Sequence, residues 1–142
     1  MRETKNYRSN PVGNEGRSIM IVKRKEDVVG TKGDASGNLW RSFRLLHEED
    51  GMHVTLTDSI LEPGFKMDLW QKNHLEACYC IEGEGTVEEL DSGAIHEIRA
   101  GTLYAMNNHD RHRIQANTRM RIVCTFYPAL TGHEVHDADG SL

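Results

Sequence analysis

The chain contains no long hydrophobic run. Its apolar residues come a few at a time, only 37% of the 142 residues are hydrophobic, and the mean hydropathy is −0.61. A membrane-spanning helix needs roughly 20 consecutive apolar residues, and no stretch approaches that, so a membrane partner is not expected. A leading apolar stretch of signal-peptide length is also missing. Basic charge is in deficit: 17 Lys plus Arg stand against 22 Asp plus Glu, a net charge of −5. No positive excess is left to neutralise a phosphate backbone, which sets nucleic acid aside as a partner. Cysteine is scarce and odd in number, at three. Three thiols do not make a disulfide framework, and the expected compartment is the reducing cytoplasm. Internal repeats of solenoid length are absent, and 142 residues suit one compact domain rather than two.

What is present is a series of short segments separated by turn residues. Residues 1–18 (MRETKNYRSNPVGNEGRS) are polar and aperiodic and read as a flexible leader, with residues 19–142 as one domain. Residues 19–22 then read as an apolar strand, and Met20 marks a candidate start of a shorter functional chain. Residues 25–29 suit one helical turn. Beyond them, Val54, Leu56 and Ile60 share one face of a period-two segment, with Thr55, Thr57 and Ser59 on the other. Further strands are expected at residues 65–70, 76–81, 86–90, 102–106, 112–116 and 120–127. Turns fit at 62–64, 82–85, 91–93 and 107–110. Strands at roughly ten-residue spacing predict an all-β fold, a sandwich or small barrel with few helical turns.

Two spacings carry more information. Gly64, Trp70, Lys72, Glu76 and Gly83 form one series, and Gly93, Arg99, Gly101, Tyr104 and Asn108 a second. Both resemble the paired motifs of cupin barrels, G(x)5HxH(x)3,4E(x)6G and G(x)5PxG(x)2H(x)3N, in which His and Glu side chains converge on a metal. Here Trp70, Lys72 and Tyr104 stand in the three His places, Arg99 replaces the Pro, and only Glu76 keeps its identity. An ordinary three-His site is therefore excluded. A phenolate is a known ligand of Lewis-acidic iron, and His112 lies on the next expected strand, so Glu76, Tyr104 and His112 can make an O, O, N face. The residues alone equally allow a barrel that has lost its metal, with Tyr104 a strand aromatic and His112 a turn residue.

The runs LWRSFRLL (residues 39–46), NHLEACYCIEGEG (73–85), GTLYAMNNHDRH (101–112) and LTGHEVHDADG (130–140) are similar to the ectoine synthase family. That family closes the ring of the compatible solute ectoine from N-γ-acetyl-2,4-diaminobutyrate. The resemblance covers the chain from about Met20 onward. It implies a small cupin-type β-barrel, Fe(2+) on Glu76, Tyr104 and His112, a homodimer, and a substrate pocket formed by Trp40, Arg44, Ser59, Cys124 and Phe126. It also implies catalytic parts for His74, Glu134 and His136. Strand parity independently puts Trp40 and Arg44 on one face, and Cys124 with Phe126, Ile122 and Met120 on another. It leaves open which face is the lumen.

One departure stands out. Where the family carries a tyrosine three residues before the matched His74, this chain has Gln71. An amide does not exchange a proton near neutral pH, so Gln71 can orient a group but cannot act as acid or base. Two readings therefore compete with a synthase: another small-molecule cupin enzyme, or a non-catalytic cupin that binds an osmolyte. Cys78 and Cys80 share parity with Glu76, which allows a thiolate site, although two cysteines within a strand more commonly serve as small buried hydrophobes.

Overall fold

The computed structural model describes residues 19–142, and the leader expected over residues 1–18 lies outside the described residues. Among the described residues, ten antiparallel strands form two facing sheets. The six-stranded sheet has the order β1 (Asp34–Gly37), β2 (Trp40–Arg44), β3 (Thr55–Leu61), β10 (Met120–Tyr127), β5 (Leu75–Glu82) and β8 (Leu103–Met106). The four-stranded sheet runs β4 (Lys66–Leu69), β9 (His112–Ala116), β6 (Glu84–Glu89) and β7 (Ile95–Arg99). Among the described residues, helical structure is limited to α1 (Lys25–Val28) and one 3-10 turn at Glu48–Asp50.

Strand β10 shows how the barrel is built. Its residues alternate strictly between buried and less buried, so Met120, Ile122, Cys124 and Phe126 enter the lumen while the intervening side chains point outward. It pairs with β3 on one side and β5 on the other, and those registers order the lumen by depth. Met120 lies opposite Leu61 at the closed end, while Phe126 lies opposite Glu76 at the open end. The closed end holds an apolar plug that includes Cys80, Ile98, Ala116 and Met120. Gly85 is required there, because a Cβ at this position would meet the Gln115 carbonyl oxygen at 2.1 Å and the Met120 sulfur at 2.7 Å. The plug leaves the polar lumen residues to the open end.

Two features depart from the sequence reading, and a third settles what it left open. Residues 19–22 form no strand and stay exposed, with Met20 at 77% and Val22 at 70%; four apolar residues that pair with no neighbouring strand bury too little surface to hold an extended segment. Strands β1 (DASG) and β7 (IHEIR) were not expected. The first consists of small and polar residues and forms by pairing with β2, where Arg41 donates two hydrogen bonds to the Asp34 carboxylate at 2.9 and 2.8 Å. The second is an edge strand with only Ile98 buried. The direction of the β3 faces, which alternation left open, is now given: the hydroxyl face turns inward, with Thr55 and Thr57 buried, whereas Leu56 and Ile60 are only half-buried on the outer side.

The outer side of β3 is joined to β10 by a fork. Arg121 donates to both carboxylate oxygens of Asp58, at 2.9 and 2.6 Å, and Lys25 of α1 approaches the same group at 3.7 Å. The Asp58 side chain is 10% exposed, and the Arg121 hydrogen bond holds its pKa below the ordinary value despite partial burial. A bidentate, charge-assisted pair in this setting contributes on the order of 1–2 kcal/mol. We expect Asp58→Asn to lower unfolding stability by about that amount at neutral pH in denaturant titrations. Because the folded pKa is depressed, the contribution is complete above the unfolded aspartate pKa of about 3.9 and is lost as pH falls through the folded value. The gap between wild type and Asp58→Asn should therefore narrow on acidification below about pH 4.

Candidate functional site

The open end of the barrel encloses a cavity of about 100 Å³. Strand β5 sends Glu76 and Cys78 into it, β8 contributes Tyr104 directly opposite Cys78, and β9 contributes His112 from the facing sheet. The rings of Tyr104 and His112 meet edge-on, with centroids 6.3 Å apart. With a proton on Nδ1, His112 donates to the Asp110 carbonyl oxygen at 3.0 Å, which leaves Nε2 with a free lone pair. Oε1 of Glu76 is buried and has no hydrogen-bond partner among the described residues.

The electrostatics of these groups share one cause. Burial pushes the Glu76 carboxyl up to about 7, against the neighbouring Cys78 and Cys124 thiols. Burial also raises the Tyr104 phenol and the Cys78 thiol well above their ordinary values and lowers His112. Every shift favours the neutral form, because little in the lumen compensates a desolvated charge. An acceptor without a donor, beside a phenol and an imidazole lone pair, suits a bound cation, so the residues present fit a metal. The donors allow two sets that share Glu76. One is Glu76, Tyr104 and His112. The other is Glu76, Cys78 and Cys124, whose ligand atoms lie within 4.8 Å of one another. Cys80 is not part of this cluster: its thiol donates to the Glu82 carbonyl oxygen at 3.3 Å, so the thiol partner of Cys78 is Cys124.

The other walls follow from strand parity. Trp40 and Arg44 from β2, Ser59 from β3, and Cys124 and Phe126 from β10 all line the cavity. Arg44 is 5% exposed; its guanidinium donates to the Glu134 backbone oxygen at 3.1 Å, and burial lowers its pKa while the Glu134 charge opposes that shift. His136 reaches the cavity from the C-terminal segment and stands edge-on to Trp40, with centroids 5.7 Å apart. Burial and then the Arg44 charge lower its pKa. Ser42 and Thr57 also line the cavity, and the sequence reading did not select them. Ser59 donates to Ser42 across β2 and β3 at 2.9 Å. The alternating hydroxyls of β3 were the signal, and only the choice of face was missing.

Two expected residues are not on the cavity wall. His74 is buried, with Nδ1 2.8 Å from the Pro128 carbonyl oxygen and its ring edge-on to Phe126 at 6.1 Å. The Glu134 carboxylate accepts backbone N–H groups of Thr131 and Gly132, at 2.8 and 3.0 Å. Trp70 and Lys72, in the places where cupins carry their His pair, also miss the cavity; the Lys72 ammonium stands 5.2 Å from the Trp70 ring centroid. Met67, Leu69 and Gln71 are the residues of this stretch that face inward.

Comparison with known proteins agrees with this architecture. An RmlC-like cupin from Shewanella frigidimarina shares the fold, with a TM-score of 0.56 at 21% identity over 68% of this chain and 82% of that one. The crystal structure of ectoine synthase from P. lautus superposes with a TM-score of 0.79 at 46% identity, covering 85% of this chain and 87% of that chain. The L-ectoine synthase of Desulfatibacillum aliphaticivorans is 48% identical over 124 residues, which is 86% of this chain and 95% of the relative. The profile of the family described as ectoine synthase matches residues 20–142, so the chain belongs to the ectoine synthase family.

Proposed function

We propose that the barrel cavity is where this chain closes the ectoine ring. The substrate is N-γ-acetyl-2,4-diaminobutyrate, whose α-amine forms a bond to the acetamide carbon. The carbonyl oxygen leaves as water, and a cyclic amidine remains. The chain is thereby a hydro-lyase, in keeping with its family. The observation that carries the reading is the unpaired, buried Oε1 of Glu76 in one cavity with Tyr104 and His112, beneath a mouth that carries Arg44 and His136.

An amide carbonyl is a poor electrophile; Glu76, Tyr104 and His112 would hold a ferrous ion, which would supply Lewis acidity towards it. The chain's own residues do the rest. Arg44, buried and fixed by the Glu134 backbone, holds the substrate carboxylate by charge-assisted hydrogen bonds. Trp40 and Phe126 form apolar walls that keep the substrate curled and exclude water, so that amine and carbonyl meet within one molecule. Ser59 and Cys124 line the same pocket and complete its shape. His136 is held towards its neutral form by burial and by Arg44, which lets it take a proton from the α-ammonium. The catalytic parts expected of Glu134 and His74 become indirect in this geometry. Glu134 orders the loop that positions Arg44, and His74 braces Phe126.

We also propose that the protein is a homodimer. The outer faces of β5, β8 and β10 leave Tyr79, Leu103 and Tyr127 at 47%, 64% and 58% exposure, an apolar surface that a second copy would cover.

Iron-loaded enzyme under anaerobic conditions should convert N-γ-acetyl-2,4-diaminobutyrate to ectoine, followed by NMR. Tight binding of ectoine by calorimetry without turnover would instead establish an osmolyte-binding cupin. His136→Ala should lower kcat by about 10²-fold or more, the usual contribution of a positioned proton-transfer group. Glu76→Ala should lose most of its iron and Cys78→Ala should keep it, by metal analysis of freshly purified protein. Loss in the cysteine variant as well as in Glu76→Ala would move the metal to the Glu76, Cys78 and Cys124 set. Light scattering at micromolar concentration should report twice the chain mass.

A further inference from the structure

Gln71 is the residue whose identity the proposed chemistry does not use. It is 2% exposed and lines the cavity, yet its side-chain oxygen is directed to the C-terminal segment, where it accepts the backbone N–H of Leu142 at 3.0 Å. Its backbone carbonyl lies 2.8 Å from Nδ1 of His109, and with the proton on that nitrogen the imidazole donates to it. His109 has a left-handed backbone, φ 54°, in the turn between Tyr104 on β8 and His112 on β9. Gln71 thus bonds in one direction to the segment that covers the cavity and in the other to the turn that leads into His112.

The neighbouring residues extend this contact. The backbone N–H of Lys72 donates to Ser141 Oγ at 3.1 Å, and Asn73 Nδ2 donates to the Leu142 backbone oxygen at 2.9 Å. The Lys72 ammonium pairs with Asp139 at 2.9 Å and Asp137 at 3.5 Å. Gly140, at φ +76°, presses onto β4 so closely that a Cβ would meet the Asp68 carbonyl oxygen at 2.3 Å. Upstream in the same segment are His136 on the cavity wall and the Glu134 carbonyl that fixes Arg44. The Lys72 ion pairs are exposed and screened by solvent, so they contribute little. The bonds from Leu142 to Gln71 and from Lys72 to Ser141 are both part-buried, and the first is the one that a barrel side chain makes; removing its acceptor leaves a polar group with no partner.

We propose that Gln71 is a positioning residue: its amide oxygen latches the C-terminal segment over the cavity mouth and thereby places His136 and the Arg44 anchor for substrate. The kinetic part of this statement rests on the ectoine synthase reading. The latch itself does not. An amide suits the task for the reason that excludes it from proton transfer, since its oxygen accepts a hydrogen bond at any pH at which the protein is folded.

The test uses the whole protein and two variants, Gln71→Met, which keeps the length and removes the acceptor, and Gln71→Glu, which keeps an acceptor oxygen. Hydrogen exchange of residues 131–142, measured without substrate, should be about tenfold faster in Gln71→Met and close to wild type in Gln71→Glu. KM for the acetylated diamine should rise by a similar factor in Gln71→Met, with a much smaller change in kcat. Unchanged exchange in Gln71→Met, or equal disturbance in both variants, overturns the latch. If Gln71→Met does not fold, Gly140→Ala lifts the segment from its other side, and wild-type exchange and KM in that variant overturn it as well. A wild-type protein that makes no ectoine defeats the functional reading, while the exchange comparison still decides the latch.

Discussion

The interaction on which the structure turns is the desolvation of Glu76. A carboxylate enclosed by β5, β8 and β10 has lost its water and gained no donor for one of its oxygens. Leaving such a group unmet costs on the order of 1–3 kcal/mol, and more when it is charged. The surrounding groups respond in the same direction, since the Tyr104 phenol, the Cys78 thiol and the His112 imidazole are all biased to neutrality by burial. A barrel that needed only stability would fill this end with leucine. Keeping the unmet acceptor is intelligible as a site for a positive charge, and the apolar plug of Met120, Cys80 and Ile98 at the closed end bears the packing that the open end gives up.

The β-barrel was legible because strand alternation and turn residues agreed. The MRIVCTFY run of β10 shows both its period and its central position, since all four inward residues are apolar or thiol. The motif spacings singled out Glu76 and Tyr104 without any of the usual histidines, and both line the same cavity. Other features lay beyond local pattern. Alternation in β3 told the two faces apart but not their direction, and the ordinary expectation of apolar residues inside fails there because the lumen is a polar site at that depth. Strand β1 has no strand propensity of its own and exists through its pairing with β2. Residues 19–22 carry the opposite lesson, with strand composition but no strand to pair with.

At Gln71, reading by role proved less informative than reading by geometry. Its residue type excluded proton transfer, which is a statement about what the side chain cannot do. What it does depends on Leu142, 71 residues away in the chain. The displaced pair Trp70 and Lys72 belongs to the same shift. In the stretch 67–71 the odd-numbered residues enter the lumen, so the positions that motif spacing equates with metal-binding histidines face away from it, and Lys72 meets Asp137 and Asp139 instead.

The sharing of Glu76 between two donor sets has a consequence for which ions the cavity admits. Glu76 is the member common to both sets, and an ion drawn to it would meet the Tyr104 and His112 side or the Cys78 and Cys124 side. The first offers hard oxygen and imidazole donors and the second soft sulfur, and divalent zinc and copper bind thiolates more tightly than ferrous iron does. Which ion such a site would take then depends on the metals on offer as well as on the strength of the site. The two buried thiols would give soft cations a foothold that a methyl group in place of each sulfur would deny them.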